Sequence, residues 1–153
     1  QIEKLVLYGT SSSWSLPQRF ETLDQTIARF ESDGIVKSAR RVAATWFVAG
    51  EKHPFFEMCA DAGAGADLAS AVPTLRAVER WSVTDRLSEI GMPTLIICGD
   101  ADCSTHPDES IALWHGIPEA NLSIVHGCAH NVHLKAPEVF NRILCNFLLA
   151  GSA

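Results

Sequence analysis

Several features that would point to other classes of protein are absent from this sequence. Its 153 residues contain no apolar run approaching the roughly 18 residues that cross a membrane. No signal peptide is expected at Gln1. Basic residues are few, with 12 Lys and Arg against 18 Asp and Glu, so the net charge of −6 disfavours nucleic acid and anionic membranes as partners.

The number of cysteines is odd, and their positions do not indicate a disulfide framework. Of the five cysteines, Cys59, Cys98 and Cys145 fall within apolar patterns typical of a core. Buried thiols of this kind are typical of a reducing compartment, so a cytoplasmic protein is expected. The length and the 47% apolar content predict one domain over residues 1–153.

Three short apolar runs predict buried strands, at residues 5–8, 94–98 and 122–125. A helical pattern over 108–115 separates the second run from the third, and a further helix is predicted from 137 to about 149. Strands that alternate with helices across short links indicate a right-handed parallel sheet, which is the α/β class.

The middle of the chain, residues 15–90, has helical patterns throughout. Ser15 and Gln18 predict a capping box for the first helix, which should end at Gly34. Pro73 predicts a break or a kink in a later helix. This block is larger than a crossover between parallel strands needs, so we interpret it as an insertion over the edge of the sheet.

Carboxylates follow the second strand, and imidazoles follow the third. Asp100 and Asp102 lie directly after the run at 94–98, and His130 and His133 lie after the run at 122–125. Loops at the carboxyl ends of neighbouring parallel strands converge over one crevice. An imidazole that acts as a general base needs a carboxylate on its other nitrogen, and these loops could supply such a pair.

The motifs at these strand ends resemble those of a known family. The segment PTLIICGDAD at 93–102, followed by GCAH at 127–130 and PEVF at 137–140, resembles the carboxyl-terminal half of an α/β-hydrolase. KLVLYGT at 4–10 is similar to the family strand that precedes a helical cap, and residues 15–90 would be that cap. The resemblance covers almost the whole chain.

The resemblance is nearest to small ester and lactone hydrolases such as enol-lactonases. It implies that Asp102 is the acid and His130 the base of a Ser-His-Asp triad. It further implies a small ester or lactone as substrate and no metal or organic cofactor. The G-x-S-x-G motif that carries the family nucleophile does not occur in the sequence.

Without that motif, the resemblance implies that the Ser-bearing half lies outside this chain and that the isolated chain is inactive. The strand at 5–8 would then have an open edge. Association is expected, either with a complementing amino-terminal half or with a second copy of the chain.

Other interpretations remain open at this stage. The chain could be a non-catalytic fragment that only assembles, with Asp102 as a helix-capping acid and His130 as a core histidine. A zinc-dependent hydrolase is a further alternative, although no C-x-x-C or H-E-x-x-H spacing occurs. Its candidate ligands are His126, Cys128, His130 and His133, with Cys103 and His106. Cys103 and Cys128 could instead form a disulfide or act as reactive thiols.

Overall fold

The fold is built on a three-stranded parallel sheet. The computed structural model describes residues 2–150. Its strands are β1 (Leu5–Tyr8), β2 (Thr94–Gly99) and β3 (Ala120–Val125), in the spatial order β1-β2-β3. All three strands run parallel, in a register that brings their carboxyl ends to the same edge. The predicted α/β class with three parallel strands is confirmed.

Helices cover both faces of the sheet, which explains the continuous apolar sequence of β2. Successive side chains of a strand point to opposite faces. Leu95 and Ile97 therefore pack on the side of α5 (Val132–Lys135) and α6 (Pro137–Leu149). Ile96 packs on the other side, where Leu113 of α4 (Pro107–Gly116) lies. Every residue of β2 is buried as a result.

A helical segment is inserted between β1 and β2. It comprises α1 (Leu23–Ala44), α2 (Phe56–Ala64) and α3 (Leu68–Val78), with short 3₁₀ turns at Gly50–Lys52 and Thr84–Glu89. The inserted segment has its own small core, whose buried members are Ala43, Phe47, Phe56, Cys59 and Ala60. Among residues 2–150, no helix has both the length and the apolar character to span a bilayer.

The predicted start of the first helix is wrong. α1 begins later than Ser15, and its capping box is formed by Thr22 and Gln25. The stretch before it is held by a long-range contact instead, because the N–H of Phe20 donates to the carbonyl of Cys103 at 2.9 Å. A capping pattern near residue 15 could not reveal that contact, which is made outside the local sequence.

Two predicted interruptions have different outcomes. The first helix ends at Gly34 as predicted, with φ at 78° and ψ at 168°, and a second helix begins directly after it, so α1 consists of two helices that meet at a kink. The left-handed φ is one that glycine adopts without a steric cost. Pro73 lies inside α3, which continues through it as a single helix. The predicted break at Pro73 is therefore not seen.

Candidate active site

Two loops at the carboxyl edge of the sheet lie in direct backbone contact. One follows β2 and carries Asp102, and the other follows β3 and carries His130. The N–H of Ala101 donates to the carbonyl of Cys128 at 2.9 Å. A Cβ placed at Gly99 would stand 2.2 Å from that same oxygen, so only glycine permits this approach.

Asp102 and His130 form a hydrogen-bonded pair. Nδ1 of His130 lies 2.7 Å from Oδ2 of Asp102. The other oxygen, Oδ1, accepts from the backbone N–H groups of Ser104 at 2.8 Å and Thr105 at 2.9 Å. Asp102 is only 1% exposed, so its charge depends on these donors rather than on water. A carboxylate in this position holds the imidazole proton on Nδ1.

The ring of His130 is enclosed by residues from other parts of the chain. A Cβ at Gly9, which has φ at 53°, would stand 3.0 Å from its Cε1. The indole of Trp46 lies against it with ring centroids 6.1 Å apart. Tyr8 donates from its hydroxyl to the carbonyl of His130 at 2.7 Å. Nε2 makes no hydrogen bond within residues 2–150, which leaves it available to exchange a proton.

A cavity of about 290 Å³ opens beside His130. Its wall combines Trp14 and Trp46 with Arg19 and with the hydroxyl residues Ser11 and Ser104. The cavity thus lies between the sheet edge and the start of the inserted segment. It offers apolar area, a few polar groups and one cation within reach of a single imidazole, which suits a small organic molecule.

Asp100 and His126 form a second pair, but they lie on the surface. Nδ1 of His126 is 2.7 Å from Oδ2 of Asp100, while Oδ1 accepts from the N–H of Gly127 at 2.8 Å. Partial desolvation would raise the pKa of the Asp100 carboxyl, but these hydrogen bonds outweigh it and lower that pKa. The His126 side chain is 99% exposed. This pair anchors the loop and has no place in the cavity wall.

His133 lies away from the cavity and contacts Tyr8. Its Nδ1 is 2.9 Å from the Tyr8 hydroxyl. Burial, and then the nearby His130, lower the pKa of His133. Burial raises the pKa of Tyr8 to about 12, so the phenol stays protonated at neutral pH and can donate to His130.

The geometry gives no support to the zinc and thiol interpretations. Within residues 2–150, no group of three or more His, Cys, Asp or Glu side chains is arranged to hold a metal ion. Cys103 and Cys128 are both free thiols. Burial raises the pKa of each, which disfavours the reactive thiolate form.

Gly9 and Arg19 are among the residues of the site that were not predicted from the sequence. Gly9 had a usable signal, because a glycine directly after a strand often marks a close approach of another group. Arg19 had none, since the sequence places it in the first turns of the helix predicted from Ser15, where an arginine is normally exposed to solvent. Trp14 and Trp46 line the cavity, whereas Phe47 and Phe56 lie in the core of the inserted segment.

Several relatives by sequence are hydrolases, others are synthases, and each matches only part of this chain. No family model matches it. A 2-hydroxy-6-oxononadienedioate/2-hydroxy-6-oxononatrienedioate hydrolase of Pseudomonas putida is 38% identical over 63 residues, which is 41% of this chain and 22% of that protein. A hydrolase of the same name from Cupriavidus pinatubonensis is also 38% identical over 63 residues. Across the curated relatives, the matches cover from 4% to 32% of their length.

Solved structures match the fold along nearly the whole chain. An esterase from Exiguobacterium antarcticum superimposes with a TM-score of 0.84 at 17% identity, over 95% of this chain and 57% of the esterase. The enol-lactonase from Burkholderia xenovorans gives a TM-score of 0.84 at 21% identity, over 96% of this chain and 56% of the lactonase. The chain therefore has the fold of the carboxyl-terminal part of an α/β-hydrolase.

Proposed function

We propose that this chain supplies the histidine and the aspartate of a Ser-His-Asp hydrolase that acts on a small ester or lactone. The observation that carries the proposal is the 2.7 Å hydrogen bond between Nδ1 of His130 and Oδ2 of Asp102, with Asp102 buried and His130 at a cavity. The hydrolase names of the relatives from Pseudomonas putida and Cupriavidus pinatubonensis support the reaction class.

In this proposal, each member of the pair has a distinct task. Asp102 accepts the Nδ1–H of His130, fixes the tautomer and stabilises the imidazolium as it forms. Nε2 then takes the proton from a serine hydroxyl as the serine attacks the ester carbonyl, and later returns a proton to the leaving oxygen. The serine would come from a segment outside residues 1–153.

The inserted helical segment would act as the cap over that reaction. Val42 of α1 and Trp46, which follows the end of α1, belong to the cavity wall. The N–H of Asn131, next to the proposed base, donates to the carbonyl of Trp46 at 3.1 Å. The cavity beside His130 combines two indole rings with polar groups, which favours a substrate with an apolar part.

The open edge of β1 would receive the missing strands. Within residues 2–150, β1 pairs with β2 alone. All four residues of β1 are only half-buried, whereas β2 is buried throughout. An uncovered strand edge with apolar side chains is a site of association. We expect it to pair with an amino-terminal half or with a second copy, and native mass spectrometry of the purified chain tests this.

Turnover of 4-nitrophenyl acetate tests the catalytic proposal. We expect no triad activity from the chain alone. Activity should appear when the chain is joined to an amino-terminal α/β-hydrolase half that carries G-x-S-x-G, and it should be lost in His130→Ala. His133→Ala is the matched control, which should retain most of the activity. Turnover that survives His130→Ala in the joined protein, or none at all from a folded joined protein, would support the assembly-only alternative.

A further inference from the structure

Arg19 is the one arginine in the wall of the cavity beside His130. It is half-buried, and burial lowers its pKa, because a charged guanidinium is poorly solvated there. Its side chain is held in place by stacking on Phe20, with the guanidinium carbon 4.6 Å from the ring centroid. The position of the cation is therefore fixed by packing before any ligand arrives.

The guanidinium of Arg19 retains unused donors. Its two hydrogen bonds within residues 2–150 both start from Nη1, one to the backbone carbonyl of Glu21 at 2.8 Å and one to the hydroxyl of Thr26 at 3.0 Å. Neither acceptor is a carboxylate oxygen. Nε and Nη2 make no hydrogen bond among the same residues, so their N–H groups are available for a bidentate pair with a carboxylate.

The surroundings of Arg19 carry more cationic groups than anionic ones. The carboxylate of Glu21 is already engaged by Arg41 at 2.5 Å and by Arg29 at 3.5 Å. Nε and Nη2 of Arg41 are buried without a partner in the described part of the chain. The Glu21 carboxylate thus pairs with Arg29 and Arg41 but not with Arg19, so this cluster holds three arginines and one carboxylate. An anion that enters the cavity would meet this unneutralised charge.

We propose that Arg19 binds a carboxylate on the substrate, so that the esters or lactones taken by this site carry a negative charge at the end remote from the scissile bond. The inference rests on the proposed function for the identity of the scissile bond, but the anion site itself does not depend on catalysis. A short apolar chain between the two ends would lie against Trp14 and Trp46, which face the same cavity.

A binding experiment with two matched esters tests this without catalysis. Monomethyl adipate carries one carboxylate, and dimethyl adipate has the same chain without the charge. Each is titrated at constant ionic strength into the ¹⁵N-labelled chain, and the indole N–H signals of its four tryptophans are followed. The variants are Arg19→Gln, Arg19→Lys and, as the control, Arg29→Gln, which removes the same charge from the same cluster outside the cavity wall.

The unaltered chain should bind monomethyl adipate roughly tenfold or more tightly than dimethyl adipate, as expected for charge-assisted hydrogen bonds. Arg19→Gln should abolish that preference, Arg19→Lys should keep part of it, and Arg29→Gln should leave it within about twofold. The indole signals of Trp14 and Trp46 should be the ones that move.

Three results would overturn the inference: equal binding of the two esters, a preference that persists in Arg19→Gln, or no binding of the charged ester. The outcome is separable from that of the proposed function. If the chain prefers the charged ester but the joined protein shows no turnover, the anion site stands and the hydrolase proposal fails. If the joined protein turns over esters but the chain shows no charge preference, the hydrolase proposal stands and the anion site fails.

Discussion

Replacement of Asp102 should separate the structural task of this carboxylate from its proposed chemical one. Asp102→Ala removes the acceptor of two backbone N–H groups, at Ser104 and Thr105, and the partner of His130. Each buried donor left without an acceptor costs about 1–3 kcal/mol, so the loss of unfolding free energy should total about 3–5 kcal/mol. Asp102→Asn keeps a carbonyl oxygen for the two amides and should lose only about 1–2 kcal/mol of unfolding free energy.

Urea unfolding followed by tryptophan fluorescence measures both values at one pH. Asp100→Ala is the matched control, because Asp100 also accepts from one histidine and one backbone N–H but lies on the surface. Its loss should cost below about 1 kcal/mol. If the alanine and asparagine variants at Asp102 lose the same free energy, or if Asp102→Ala costs no more than Asp100→Ala, the loop does not depend on the buried carboxylate.

Three further predictions concern the surroundings of the site. Gly9→Ala should cost about 1–2 kcal/mol in urea unfolding, because its φ of 53° strains any side chain and the new Cβ would press on His130. Tyr8→Phe should speed amide exchange in the loop that carries His130, since the carbonyl there loses a donor. Burial raises the pKa of Glu21, but the hydrogen bonds from Arg41 and Thr26 lower it by more, so the net shift is downward. Its contribution to stability is therefore full above about pH 4.5 and lost as the pH falls below that value, and Glu21→Gln should remove this acid-side dependence.

The strands and the central pair could be predicted because their signals are local. The runs at 5–8 and 94–98 are apolar on both sides, as a sheet covered on both faces requires. Asp102 and His130 each follow such a run, and parallel strands that share an edge bring their loops together. The functional roles of these two residues stay predictions, and so does the division of the chain into a domain with a cap.

The remaining parts of the site depend on contacts between distant segments. The path of the chain from Trp14 to Phe20 is set by hydrogen bonds to Trp81 and Cys103, which replace the helix predicted from Ser15. That path carries Arg19 into the cavity. No local pattern encodes such an arrangement, because the partners are separated by many residues in the sequence.

The tautomer of the His130 ring tests the central claim most directly. Long-range ¹H–¹⁵N correlation spectra of the chain with neutral imidazole rings show which ring nitrogen carries the proton. With Asp102 as its partner, the neutral ring should carry the proton on Nδ1 and leave Nε2 bare, and Asp102→Asn should shift the proton to Nε2. A ring that carries its proton on Nε2 in the unaltered chain, or that shows the same tautomer in both proteins, would contradict the account.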